Sequence, residues 1–86
     1  MLYVVSYDLK KPHRDYNELF GALKSYDAWC HYLESTWLIE SSMNASKIAE
    51  HLRNHIDKND QLLVIGTTKD YDGLLPNHAW IWISKH

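Results

Sequence analysis

The sequence predicts an α+β domain: one antiparallel sheet with two helices on a single face and an extra strand at the C-terminal end. Three observations lead there. Short runs rich in β-branched and aromatic residues alternate with two segments whose apolar residues recur every three to four positions. No Gly-, Pro- or Ser-rich stretch marks off a second domain, and 86 residues suffice for one small core. Apolar side chains make up 45% of the chain, aromatic ones 13% and charged ones 23%, which excludes a disordered or low-complexity protein.

Residues 2–9 read as the first strand, because Leu2, Tyr3, Val4, Val5 and Tyr7 precede the break at Lys10, Lys11 and Pro12. Tyr3, Val5, Tyr7 and Leu9 point one way and Leu2, Val4, Ser6 and Asp8 the other, which suits a central strand ending in an acid. Asp15 and Glu18 stand at capping-box spacing, with Asp in place of the usual Ser or Thr. Tyr16, Leu19, Phe20 and Leu23 then recur at helical spacing, so a helix is expected over 15–25. Residues 28–33 and 36–40 form two strands joined by a tight bend at Glu34 and Ser35. Ser41, Ser42, Met43 and Asn44 supply turn and N-cap chemistry for a second helix that carries Ile48, Leu52 and Ile56 and ends near His55. Residues 61–66 are a short apolar strand, 69–78 a turn-rich loop, and 79–84 a last strand.

Strand, helix, strand, strand, helix, strand is the ferredoxin-like βαββαβ sandwich, here a single domain over residues 1–86 with the extra C-terminal strand appended. Such a sheet leaves one face open. In the last strand Ile81 and Ile83 project one way and Trp80 and Trp82 the other, more apolar surface than one helix layer covers. A chain this short also hides only roughly 60 to 65% of its unfolded surface, so a homodimer is expected.

Nine Lys plus Arg stand against eleven Asp plus Glu, a formal charge of −2, so a global basic signature for nucleic acid is missing and only a local patch could serve. The single cysteine, Cys30, can form neither an internal disulfide nor a zinc knuckle and reads as a small core residue, which points to a cytoplasmic protein. Asp8 arrives too early for a secretory apolar region, and no apolar run approaches the roughly 18 to 20 residues that span a bilayer. His51 and His55 have metal-sharing spacing without a third ligand, which is the pattern of a solvent-facing pair. Gly21, Gly66 and Gly73 form neither a phosphate-cradling loop nor a nucleophile elbow, so nucleotide-cofactor folds and hydrolase triads are excluded.

Lys10, Lys11, His13 and Arg14 cluster beside Asp8 where a helix begins, the best local patch for an anionic phosphate; the ordinary alternative is a solvated loop. Tyr7 could stack on a base or position a water, or simply pack in the core.

Tyr7, Asp8 and Leu9 at the end of the first strand, Arg14 at the helix entrance, Leu23, Lys24, Ser25 and Tyr26 closing that helix, and a strand ending in Glu40 before an amphipathic helix carry a family resemblance. Over residues 2–56 the chain resembles the small CRISPR-associated endoribonuclease-fold proteins, whose fold is shared by the SinR-like proteins and the virulence-associated protein D toxins. It departs from the CRISPR members in having Trp37, Leu38, Ile39 and Glu40 where Ser, Val, Phe and Glu are common, and so leans toward the SinR-like branch. The resemblance implies a dimer of ferredoxin-like subunits in which Asp8 approaches its symmetry mate and holds Mg²⁺ or Mn²⁺ for phosphodiester cleavage of RNA or DNA. A pair of carboxylates is a thin ligand set that phosphate oxygens and water complete. Two other readings stay open: a catalytically silent dimeric subunit that binds a nucleic acid or a protein partner, and a toxin-type ribonuclease of a toxin–antitoxin pair.

Overall fold

The computed structural model describes residues 1–11 and 15–86. Strand β1, Leu2–Asp8, takes hydrogen bonds on both sides, from β3 (Thr36–Glu40) and from β4 (Gln61–Gly66), while β2 (Ala28–Leu33) pairs with the far side of β3. The result is a four-stranded sheet in the order β2-β3-β1-β4, antiparallel throughout. Among the described residues, three helices complete this α+β fold: α1 (Asn17–Lys24), α2 (Ala45–Arg53) and α3 (Asn77–Ser84).

The expected elements appear in the expected order as far as β4, with shorter ends. Helix α1 begins two residues later than Asp15 because the Asp15 carboxylate takes the N–H of Asn17 across a turn, leaving Tyr16 as an N-cap without a side-chain bond. Asn44 caps α2 as its position suggests, its side-chain oxygen accepting the N–H of Lys47 at 2.9 Å. The β2–β3 hairpin turns at Glu34 and Ser35, and its register slips between Cys30 and Leu33.

Register decides which side chains share a face. Val5 lies opposite Trp37 and Val64, and Tyr3 opposite Ile39, so this half of the alternation meets Leu19 and Leu23 of α1 and Ile48 and Leu52 of α2 in one core. Val5, Leu19, Leu23, Ile39, Ile48 and Leu52 are fully buried there. At roughly 1.5 to 3 kcal/mol for each fully buried aliphatic side chain, this layer is the main source of stability.

The C-terminal segment corrects the expectation. Residues 79–84 form helix α3 in place of an extra strand, and it lies over the opposite face of the sheet. A run that is apolar at nearly every position satisfies a period of 3.6 as well as a period of 2, so alternation alone could not decide. Two features settle it physically: Pro76 presents an extended residue whose carbonyl accepts the N–H of Ala79 at 2.9 Å, and Ala79 and Ile83, four apart, bury themselves on the sheet. The chain therefore roofs part of its own bare face, above Leu2, Val4, Cys30 and Leu38. Leu63 and Ile65 on β4 remain about half exposed.

One polar residue joins the parts. Asp60 is buried, and its carboxylate accepts the N–H of Lys10 at 2.7 Å, the N–H of Asp57 at 2.9 Å and the hydroxyl of Tyr16 at 3.0 and 3.1 Å. Burial pushes its pKa up, but these donors, Lys10 and Asp57 foremost, outweigh burial and hold the group below the usual carboxylate range. A depressed pKa contributes stability that is present above the unfolded value of about 3.9 and is lost as pH falls through the lower folded value. Asp60→Asn is accordingly expected to cost about 3 kcal/mol at pH 7. In urea unfolding measured from pH 7 to pH 2, the gap between variant and wild type should narrow below about pH 4.

Candidate functional site

The end of β1 is where the predicted residues meet the structure. Asp8 stands opposite Gln61 of β4, its side chain about 59% exposed, and its carboxylate forms an ion pair with the ammonium of Lys10. The backbone of Lys10 is held in turn by buried Asp60, so the acid and this lysine share an anchored turn. Lys11 points elsewhere, its Nζ 3.2 Å from the Asp57 carboxylate. His13 and Arg14 lie outside the described residues. The predicted patch thus resolves into Asp8 with Lys10, and Lys11 with Asp57.

Tyr7, next in the chain, projects to the other face of the sheet. Its hydroxyl accepts the indole N–H of Trp37 at 3.1 Å and donates to the backbone carbonyl of Glu34 at 3.3 Å. Partial burial raises the phenol pKa, the Trp37 bond offsets some of the rise and the Glu34 charge adds to it, so the group is a neutral hydroxyl at physiological pH. Tyr7 and Asp8 therefore serve different faces. The phenol is engaged within the fold, and its ring lies 6.3 Å from that of Phe20.

Asp8 offers a hard carboxylate oxygen of the kind Mg²⁺ and Mn²⁺ prefer. Among the described residues, no three His, Cys, Asp or Glu side chains come together as a metal site. Among the described residues, a divalent ion at Asp8 would therefore need further donors from outside such a cluster, such as water, a phosphate or a second copy. The histidine pair, His51 on α2 and His55 in the turn after it, is not the solvent-facing pair expected: both rings are half-buried, His51 Nδ1 lies 2.8 Å from the Tyr26 hydroxyl, and the two rings meet edge to face at 5.7 Å.

Two features escaped the reading of the sequence. The first is a cleft of about 240 Å³ between the sheet and α3, walled by Leu2, Val4, Leu38, Trp80 and Ile83, with Cys30 on its floor. It exists only because the C-terminal segment is a helix, which alternation concealed. The second is an aromatic cluster at the edge strand, where Trp29 and His31 of β2 gather around Trp37. Its signal was there to be used, in two ring residues at alternate positions of a strand paired to a strand that bears a third.

No family model, curated protein or solved structure matches this chain. Among the described residues, no helix is long and apolar enough to cross a membrane.

Burial pushes the Cys30 thiol up to about 11, partly offset by a bond from the Tyr32 backbone. The thiolate fraction at pH 8 is then roughly a hundredfold below that of a free cysteine. Alkylation of the folded protein at pH 8, followed by mass spectrometry, should be slower than that of the urea-unfolded chain by at least that factor.

Proposed function

We propose that the chain is a small dimeric nucleic-acid-directed protein of the cytoplasm, built on a ferredoxin-like frame and resembling the SinR-like and CRISPR-associated endoribonuclease-fold proteins, with the Asp8 carboxylates of two copies facing each other across the twofold axis. What carries this reading is that Asp8 and the uncovered apolar side chains lie on one face. Register pairs Asp8 with Gln61, Ser6 with Leu63 and Val4 with Ile65, so a second copy laid over Leu63 and Ile65 approaches the strand end that bears the acid. The element order as far as β4 and the sheet order β2-β3-β1-β4 support the ferredoxin-like frame.

On this reading Asp8 of each copy binds Mg²⁺ or Mn²⁺, which when bound lowers the pKa of a coordinated water and polarises the phosphodiester. Lys10, paired with Asp8 in the structure, would be placed to neutralise a phosphate oxygen beside the reacting group if a bound ion took over the carboxylate. The Lys10 backbone stays tethered to Asp60, so this exchange involves only the lysine side chain.

A second reading has its own support. The Lys10 ammonium already neutralises Asp8, an arrangement that suits a silent binding subunit using the same dimer as a scaffold. Metal-dependent cleavage of single-stranded RNA and DNA by the purified protein separates the two. Asp8→Asn is expected to lower the cleavage rate by about a hundredfold or more. Absence of cleavage by the wild type with either metal decides for the silent subunit, and cleavage unchanged in the variant overturns the role of Asp8 and points to another site or a contaminating nuclease. The dimer is tested by sedimentation of Leu63→Asp, expected to run as a monomer at concentrations where the wild type is dimeric.

A further inference from the structure

The aromatic cluster on β2 has a construction that simple packing does not require. The His31 ring lies on the indole of Trp37 with centroids 3.9 Å apart and planes 13° from parallel. Phe20 stacks on Trp37 at 6.1 Å and 20°, and Trp29 approaches it at 5.5 Å. Trp37 is buried, yet His31 and Trp29 are exposed, Trp29 by 40%. The stack therefore has a buried inner ring and bare outer ones.

Hydrogen bonds set the planes of Trp37 and His31. The Trp37 indole donates to Tyr7, Tyr7 donates to the Glu34 carbonyl, and His31 Nε2 lies 2.9 Å from that same carbonyl. A carbonyl can only accept, so Nε2 carries the hydrogen and the His31 ring is fixed in orientation and in tautomer. Beside this ladder the ammonium of Lys24 sits 5.4 Å from the centroid of the Trp29 ring. Tyr7 and Phe20, which contact Trp37, also line a hollow of about 270 Å³ with Asp8 and Glu34 at the strand end, while Trp29 and His31 lie outside its lining.

We propose that Trp29 and His31 form a stacking platform for an unpaired base of a single-stranded nucleic acid, with Lys24 taking a neighbouring phosphate. The inference rests on the nucleic-acid reading above and narrows it to one class of substrate. Ring faces held in advance, His31 by its hydrogen bond and its stack on Trp37, and Trp29 by its contact with Trp37, lose little entropy when a base settles on them, and every base has such a face. A duplex has its bases already stacked on one another and cannot present one without unpairing, which makes this surface selective for single strands. The cation beside Trp29 supplies what a purely apolar protein contact would not need.

The test is fluorescence anisotropy of the full-length chain with labelled ten-nucleotide oligo-U, oligo-dT and a duplex of equal length, at low and at physiological salt. Both single strands should bind more tightly than the duplex and about equally, since stacking reads the ring and not the 2′-hydroxyl. The double variant Trp29→Ala/His31→Ala should weaken single-strand binding by roughly tenfold or more. His31→Phe, which keeps a ring on Trp37, should retain most of the affinity and guards against a loss caused by misfolding. Lys24→Met should weaken binding and flatten its salt dependence. Equal single-strand affinity in the double variant, preference for the duplex, or a strict need for ribose would each overturn the platform. Duplex binding that ignores Trp29 and His31 defeats the platform and leaves the nucleic-acid reading standing, whereas no binding to any of the three defeats both.

Discussion

The carboxylate of Asp60 is the point on which the functional end of this molecule depends. Three parts of the chain meet there: the turn after β1 through the N–H of Lys10, the entrance of α1 through the Tyr16 hydroxyl, and the connection from α2 to β4 through the N–H of Asp57. A buried charge is tolerated only where donors replace the water it has lost, and here three groups do so. Removing that acceptor would take a shared hydrogen-bond partner from the Tyr16 hydroxyl and from the N–H groups of Lys10 and Asp57, and it would release the turn that holds Lys10 beside Asp8. The exposed acid is positioned by a buried one.

Around that anchor the two faces of the sheet are filled by different means. On one side α1 and α2 meet β1, β3 and β4 in a continuous core whose aliphatic members exclude water completely. On the other, α3 touches down through Ala79 and Ile83 and stands away from the sheet elsewhere, so that a cleft remains above Cys30 and an apolar strip remains on β4. The first face secures the fold. The second leaves surface that a small protein ordinarily covers with something else.

The aromatic corner shows how packing and display are combined in one cluster. Trp37 belongs to the core and gives its indole N–H to Tyr7, while His31 and Trp29 extend the same array of rings to the surface of the edge strand. The Tyr7 hydroxyl joins this array by accepting from Trp37 and donating to the Glu34 carbonyl, which keeps neighbouring rings in place.

Much of the fold was readable from the chain because it rests on local signals. The alternation in residues 2–9 made β1 a central strand, Asn44 marked the start of α2, and Glu34 with Ser35 marked the hairpin. Each depends on interactions within a few residues. Alternation misled at residues 79–84, where both periods fit and the choice lay with burial against Leu2, Val4 and Leu38, residues more than forty positions away. The basic patch was likewise a statement about neighbours in sequence, and only folding could send Lys10 to Asp8 and Lys11 to Asp57. By itself the sequence determined the element types through β4 and an acid at the end of the first strand, since propensity and periodicity are properties of short segments. The C-terminal helix, the Asp60 anchor and the ring stack on Trp37 were decided by the tertiary structure, because each is a contact between distant segments whose energy exists only once the sheet has brought them together.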